Sequence, residues 1–248
     1  MFRRFALVAI ALALITAPAL ADYPGGRMNY NRISGYYSGN GGEFTLYPRQ
    51  GFQYLSNAAY AGSTRNKKWD NSFQTFCVET KEFVAQPMDV TVSTTYVNGN
   101  EGWSHAIRGG EPIGDDLDPM TAYLYTQFAT GVLSNYNWVA GSARKNSAGA
   151  LQQAIWYIEG EIGSLPGGQA TTWYNEAYTA VHSGPWYNQI GNVRVLNMYT
   201  TSGGLAQDQL YLIPAPGAAL LGVLGLGLVG WVRRRLGQEA NTVVRRRK

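Results

Sequence analysis

The period of the hydrophobic pattern changes twice along this chain, and that change limits the folds open to it. Three early stretches alternate apolar and polar residues, as strands do. "EFTLYP" (43–48) sets Phe44 and Leu46 against Thr45 and Tyr47. "SFQTFCVE" (72–79) puts Phe73, Thr75 and Cys77 on one face and Gln74, Phe76 and Val78 on the other. Apolar residues on both faces place that strand inside a sheet. "DVTVSTTYV" (89–97) is β-branched and alternating. Helical spacing follows. Asp118 suits an N-cap, Pro119 the first helical position and Gly131 the stop, with Met120, Leu124 and Phe128 recurring every fourth residue between them. A second helix is expected over 147–163, with Leu151, Ala154, Ile155, Ile158 and Ile162 in one stripe. A third starts near Thr171 or Thr172 and stops before Pro185. Strand signals return at "VRVLNMY" (193–199) and "QLYLI" (209–213). The order predicts an α+β fold: a β-rich sandwich or barrel with a helical insertion.

The two ends belong to a different physical problem. "MFRRFALVAIALALITAPALA" (1–21) has a basic start, an apolar run and a small-x-small ending, the pattern of a secretory signal peptide cleaved before Asp22. Residues 22–42, rich in Gly, Tyr, Asn and Ser, read as a flexible lead-in to a body over 43–213. From Ala215 to Val232 no residue is charged, a length that predicts one C-terminal transmembrane helix, with Trp231 at the interface and Arg233, Arg234 and Arg235 on the cytoplasmic side. A basic cytoplasmic tail, 236–248, completes the chain as read here.

Separating the ends reverses the charge. The whole chain is +4, with 20 basic and 16 acidic residues. Two arginines lie in the leader, and seven basic residues and one acid lie from Arg233 to Lys248. The body keeps 11 basic against 15 acidic residues, a net charge of −4. Nucleic-acid binding thereby loses its electrostatic argument.

The C-terminal segment resembles the PEP-CTERM sorting signals of Gram-negative exported proteins. The resemblance rests on Pro214-Ala215-Pro216, the glycine-rich apolar run and Arg233-Arg234-Arg235 over about the last thirty-five residues. Ala215 stands where glutamate is usual, and the basic tail is long. The resemblance implies processing by an exosortase-type transpeptidase near Pro214–Pro216. It implies a transient inner-membrane anchor through that helix, then residence in the cell envelope, at the surface or in an extracellular matrix.

Cys77 is the only cysteine of the chain, and an exported protein meets an oxidising compartment where an unpaired thiol is at risk. One cysteine with His105 and His182 makes a poor zinc set. Asp115, Asp116 and Asp118 could hold calcium, though they lack EF-hand spacing and Asp118 already serves as a cap. A Cys–His hydrolase using either histidine matches no protease signature. Cys77 as a buried small hydrophobe is the plainest reading. A chemically capped thiol is the other. A glutamine carboxamide held against a thiolate can lose ammonia and leave an internal thioester, given proximity and a dry site. Gln152 lies at the edge of the second helix's stripe beside Leu151 and Ile155, whereas Gln153 points further out.

These residues resemble the thioester domains of bacterial surface adhesins. Phe76, Cys77, Val78 and Glu79 match the family's first motif, and Leu151, Gln152, Ile155 and Trp156 match its second, with a span over about 43–213. The resemblance implies a β-rich fold whose helical insertion brings Gln152 to Cys77. It also implies a single-turnover bond that acylates an amine or hydroxyl on a target protein or polysaccharide, with no separate cofactor and no enzymatic turnover. Glu79 would orient the site. The alternative is a non-reactive envelope or matrix protein that uses its Tyr, Trp and Asn side chains for binding.

Overall fold

The computed structural model describes residues 26–39, 41–50, 72–84, 86–96 and 115–213. Six strands form one antiparallel sheet: β1 (Gly26–Asn31), β2 (Phe44–Gln50), β3 (Phe73–Thr75), β4 (Met88–Ser93), β7 (Val193–Thr200) and β8 (Leu205–Leu212), in the spatial order β3-β2-β1-β4-β7-β8. β5 (Thr95–Tyr96) and β6 (Asp115–Asp116) make a short separate ribbon. Three helices come between β6 and β7: α1 (Pro119–Ala129), α2 (Ser142–Ile158) and α3 (Gln169–Ser183).

The sheet curls until its two edges nearly meet. β3 ends at Thr75, but the chain beyond it runs along β8. Leu210 N–H donates to Phe76 O (3.0 Å), Val78 N–H donates to Asp208 O (3.2 Å), and Cys77 forms an isolated bridge with Gln209. Closure of this kind satisfies edge groups that an open sheet exposes. Cys77 is therefore in the seam of the barrel, just past a regular strand.

This architecture corrects the expected one. Over the described residues the body is mostly sheet, a single nearly closed six-stranded antiparallel barrel with three helices, in place of the expected α+β domain. No helix among the described residues is long and apolar enough to cross a membrane. The run Ala215–Val232 lies outside the described residues, as do the leader and basic tail. The structure also differs at the lead-in: Gly26–Asn31 pairs with β2 on one side and β4 on the other. Glycine and asparagine masked a strand whose Met28 is fully buried.

Two cores explain why β8 is buried from Ala206 to Leu212 without alternation. Met28, Leu46, Phe73, Met88, Leu196, Met198 and Tyr211 fill one cluster. Val193, Val195, Leu210 and Leu212 belong to a second, shared with α1, α2 and α3. Leu210 and Leu212 thus serve the helical side, while Tyr211 serves the other. β7 alternates between the two, Val193 and Val195 facing the helices and Leu196 and Met198 the other cluster, and its register with β8 shifts between Leu196 and Met198.

The helices begin and end for local reasons. Asp118 Oδ1 accepts from Met120 N (2.7 Å), Pro119 opens α1, and Gly131 at φ +77° follows its end. α2 starts five residues before the expected position, because Arg144 is drawn into the interior by a carboxylate on the barrel. It stops at Ile158, short of the expected 163, where Glu159 caps it and Gly160 turns out at φ +81°.

Candidate functional site

The side chain of Gln152 lies on the backbone of Cys77. Its Oε1 accepts from Cys77 N (3.2 Å) and from the Cys77 thiol (Sγ–Oε1 3.2 Å), and its Nε2 donates to Cys77 O (2.6 Å). Both residues are fully buried. The two come together because the barrel seam presents Cys77 to the middle of α2, where Leu151, Ala154, Ile155 and Ile158 are all packed in the helical-side core. Gln152 is the polar member of that buried face, and Gln153 is half-buried beside it.

Glycine allows this closeness. A Cβ on Gly41 would come 2.6 Å from Gln152 Cγ and 2.7 Å from Trp156 Cη2. A Cβ on Gly42 would come 2.2 Å from Phe76 Cδ1 and 3.1 Å from Gln152 Oε1. The Gly41–Gly42 backbone, with φ of +103° and +21°, is thus the cover of the pair. Ser38 holds it from the other side, through Ser38 N donating to Gly42 O (2.8 Å).

A buried ion pair fixes that cover to the helix. Arg144 and Glu43 are both fully buried, with Arg144 Nη2 to Glu43 Oε1 at 2.6 Å and Nε to Oε2 at 2.9 Å. Tyr136 OH donates to Glu43 Oε2 (2.7 Å), and Arg144 Nη1 donates to Trp138 O (2.5 Å). The guanidinium also lies 4.1 Å from the Tyr36 ring centroid. Glu43 directly follows Gly42, and Arg144 lies two turns before Gln152, so this contact ties the cover to the helix that carries Gln152. Sequence reasoning missed Glu43, Arg144, Gly41 and Gly42. The signals were present in "GNGGE" and in an arginine within a helical stretch, but neither carries its partner in local sequence.

The remaining motif residues frame the pair. Phe76 packs edge-on against Phe128 (centroids 4.8 Å apart), and Val78 is fully buried in the same core. Trp156 Nε1 donates to Glu79 O (3.1 Å), tying the two motifs together. Glu79 Oε2 accepts from Asp208 N (3.3 Å), while its Oε1 is buried with no hydrogen-bond partner. Burial, followed by the charges of Asp208 and Glu82, raises the Glu79 carboxyl well above its ordinary range. Burial likewise drives the Cys77 thiol far up, and the Trp156 and Gly42 N–H groups offset this only in part.

Beside the pair opens a cleft of about 500 Å³, with Tyr37, Phe44, Phe83 and Trp156 as aromatic walls and Arg32 and Glu82 as charged ones. Gly41 lines it too, but Cys77 and Gln152 do not.

Other expected residues fall elsewhere. His182 is exposed on α3, its ring stacked on Tyr178 (4.0 Å) and its Nδ1 bonded to Tyr178 O (2.9 Å). His105 lies outside the described residues, as do Pro214, Ala215, Pro216, Arg233, Arg234 and Arg235. Asp115 and Asp116 pair with β5, Asp118 caps α1, and no group of acidic, histidine or cysteine residues among the described ones is arranged to hold a metal. No family model, curated protein or solved structure matches this chain.

Proposed function

We propose that this is an exported surface protein whose body stores an internal thioester between Cys77 and Gln152, for one covalent attachment to an amine or hydroxyl on a target. The observation that carries the reading is the contact of a fully buried thiol with a fully buried carboxamide, Sγ to Oε1 at 3.2 Å. Proximity of this kind supplies most of the effect in an intramolecular acyl transfer. The Cys77 sulfur attacks Gln152 Cδ, and the charge that develops on Oε1 meets the Cys77 N–H already directed at it. The C–N bond breaks, the thiol proton passes to the departing nitrogen, and ammonia leaves. An acceptor amine later attacks the same carbon, the C–S bond breaks, and the sulfur takes back a proton.

Burial favours storage. Cys77 and Gln152 are both fully buried, so water reaches the bond only when the site opens. A Cys–His hydrolase draws no support from His182, which is exposed on α3 and bonded to Tyr178 O. Export and sorting rest on the leader, on Pro214-Ala215-Pro216 and on the Arg233–Arg235 block, with an exosortase-type transpeptidase as the processing partner. The second reading treats the same contact as a structural tie, since three hydrogen bonds satisfy Gln152 in place.

The test is incorporation of a biotinylated alkylamine, mapped by peptide mass. The proposal expects label on residue 152 of the wild type and none in Cys77→Ala or Gln152→Ala. An unlabelled wild type that is folded by circular dichroism favours the structural tie.

A further inference from the structure

The pair and the cleft are separate, and one side chain stands between them. Trp156 lines the cleft and lies one helical turn after Gln152. Its ring is packed so tightly on Gly41 that a Cβ there would come within 2.7 Å of it, and within 2.6 Å of Gln152 Cγ. Its N–H is held by Glu79 O at 3.1 Å. Gly41 and Trp156 are therefore the inner wall of the cleft and the outer wall of the pair at once. Of the two walls only the indole is a side chain, able to turn about its own torsions once its bond to Glu79 O is given up, while the backbone stays in place.

The cleft itself suits more than a small nucleophile. Its volume of about 500 Å³ is many times that of a water molecule, whose share of the liquid is roughly 30 Å³. Phe83 in its lining is 82% exposed, and Phe44 and Tyr37 line it as well. Such walls take up an aliphatic stem by burying it.

On this reading of the pair as a thioester, we infer that Trp156 is the shutter of the site: the cleft receives the acceptor's alkyl stem, and the indole turns aside to admit its nucleophilic end while otherwise keeping water from the bond. The stem's burial supplies the free energy that opens the shutter, so long-stemmed acceptors are selected over small ones and over water. Glu79 links the two motifs through its carbonyl, so the shutter's closed position is set by the strand that carries Cys77.

The experiment uses the purified chain, methylamine and n-butylamine as probes, and intact mass to follow each product. Rates are taken on the fraction that is lighter by one ammonia, so loss of the bond and loss of the shutter are read separately. Wild type is expected to hydrolyse slowly and to take n-butylamine about tenfold faster than methylamine. Trp156→Ala is expected to raise the hydrolysis and methylamine rates about tenfold and to lose the preference. Trp156→Phe keeps the apolar bulk but gives up the N–H bond to Glu79, and should raise both rates a few-fold. It serves where the alanine variant does not fold. Variants that carry the bond and match the wild-type rates overturn the shutter and leave the thioester intact. A wild type that never loses ammonia overturns both.

Discussion

Two buried polar contacts join helix α2 to the barrel, eight residues apart, and their chemistry differs. Arg144–Glu43 is charged, bidentate and supplied with further partners by Tyr136 and Trp138. Nothing in it can react. Cys77–Gln152 is neutral, just as buried, and sets a thiol against a carboxamide oxygen. If the proposed thioester forms, the two contacts divide the labour: the ion pair fixes the geometry and the second pair carries the chemistry. The glycines between them, Gly41 and Gly42, transmit that geometry because no side chain fits there.

The largest way to break this comparison is to remove the inert partner. Arg144→Met leaves the Glu43 carboxylate buried and unpaired, and is expected to cost about 3–5 kcal/mol in urea unfolding. Chains that still fold should hold Gln152 less closely, and a smaller fraction should lose ammonia. A loss of stability under about 1 kcal/mol would mean that the pair does not set the frame. The next effect concerns the cover. Gly42→Ala drives a methyl into Phe76 and is expected to cost about 1–3 kcal/mol, read as a lowered melting temperature. The same change on exposed Gly39, where an added Cβ meets nothing within 4 Å, should have almost no effect.

The smallest effect sharpens the electrostatics around the Cys77–Gln152 contact. Glu79 has a folded pKa above its ordinary 4.5, so the folded state holds a proton that the unfolded chain releases. Its contribution is therefore present below pH 4.5 and is lost as pH rises toward the folded value. Glu79→Gln should flatten the fall of stability above pH 4.5, measured as the difference in unfolding midpoint between pH 5 and pH 8. An unchanged pH slope would place the charge burden on Glu82 or Asp208 instead.

Much of this was legible in local pattern. Helix α1 could be read because its cap, its first proline and its terminal glycine are adjacent in sequence to the stripe they bound. Cys77 and Gln152 could be paired because each lies in a short motif and the chain has one cysteine. The closed barrel was not legible. Its seam is built from residues 76–78 against 208–210, about 130 residues apart, and nothing in either segment specifies the other. β1 was lost to its own composition, since glycine and asparagine signal turns unless neighbouring strands supply both ladders. Arg144 and Glu43 were invisible for the same reason as the seam: a charge is expected at the surface until its partner is known.

The most direct measurement is the intact mass of the folded chain, purified at neutral pH without amine buffers. The account predicts a mass lower than the sequence by one ammonia, converted to a simple adduct by methylamine and restored to the full value in Cys77→Ala. A mass equal to that of the sequence, with one thiol that alkylates only on unfolding, would contradict it and leave Cys77–Gln152 as a hydrogen-bonded tie in the barrel seam.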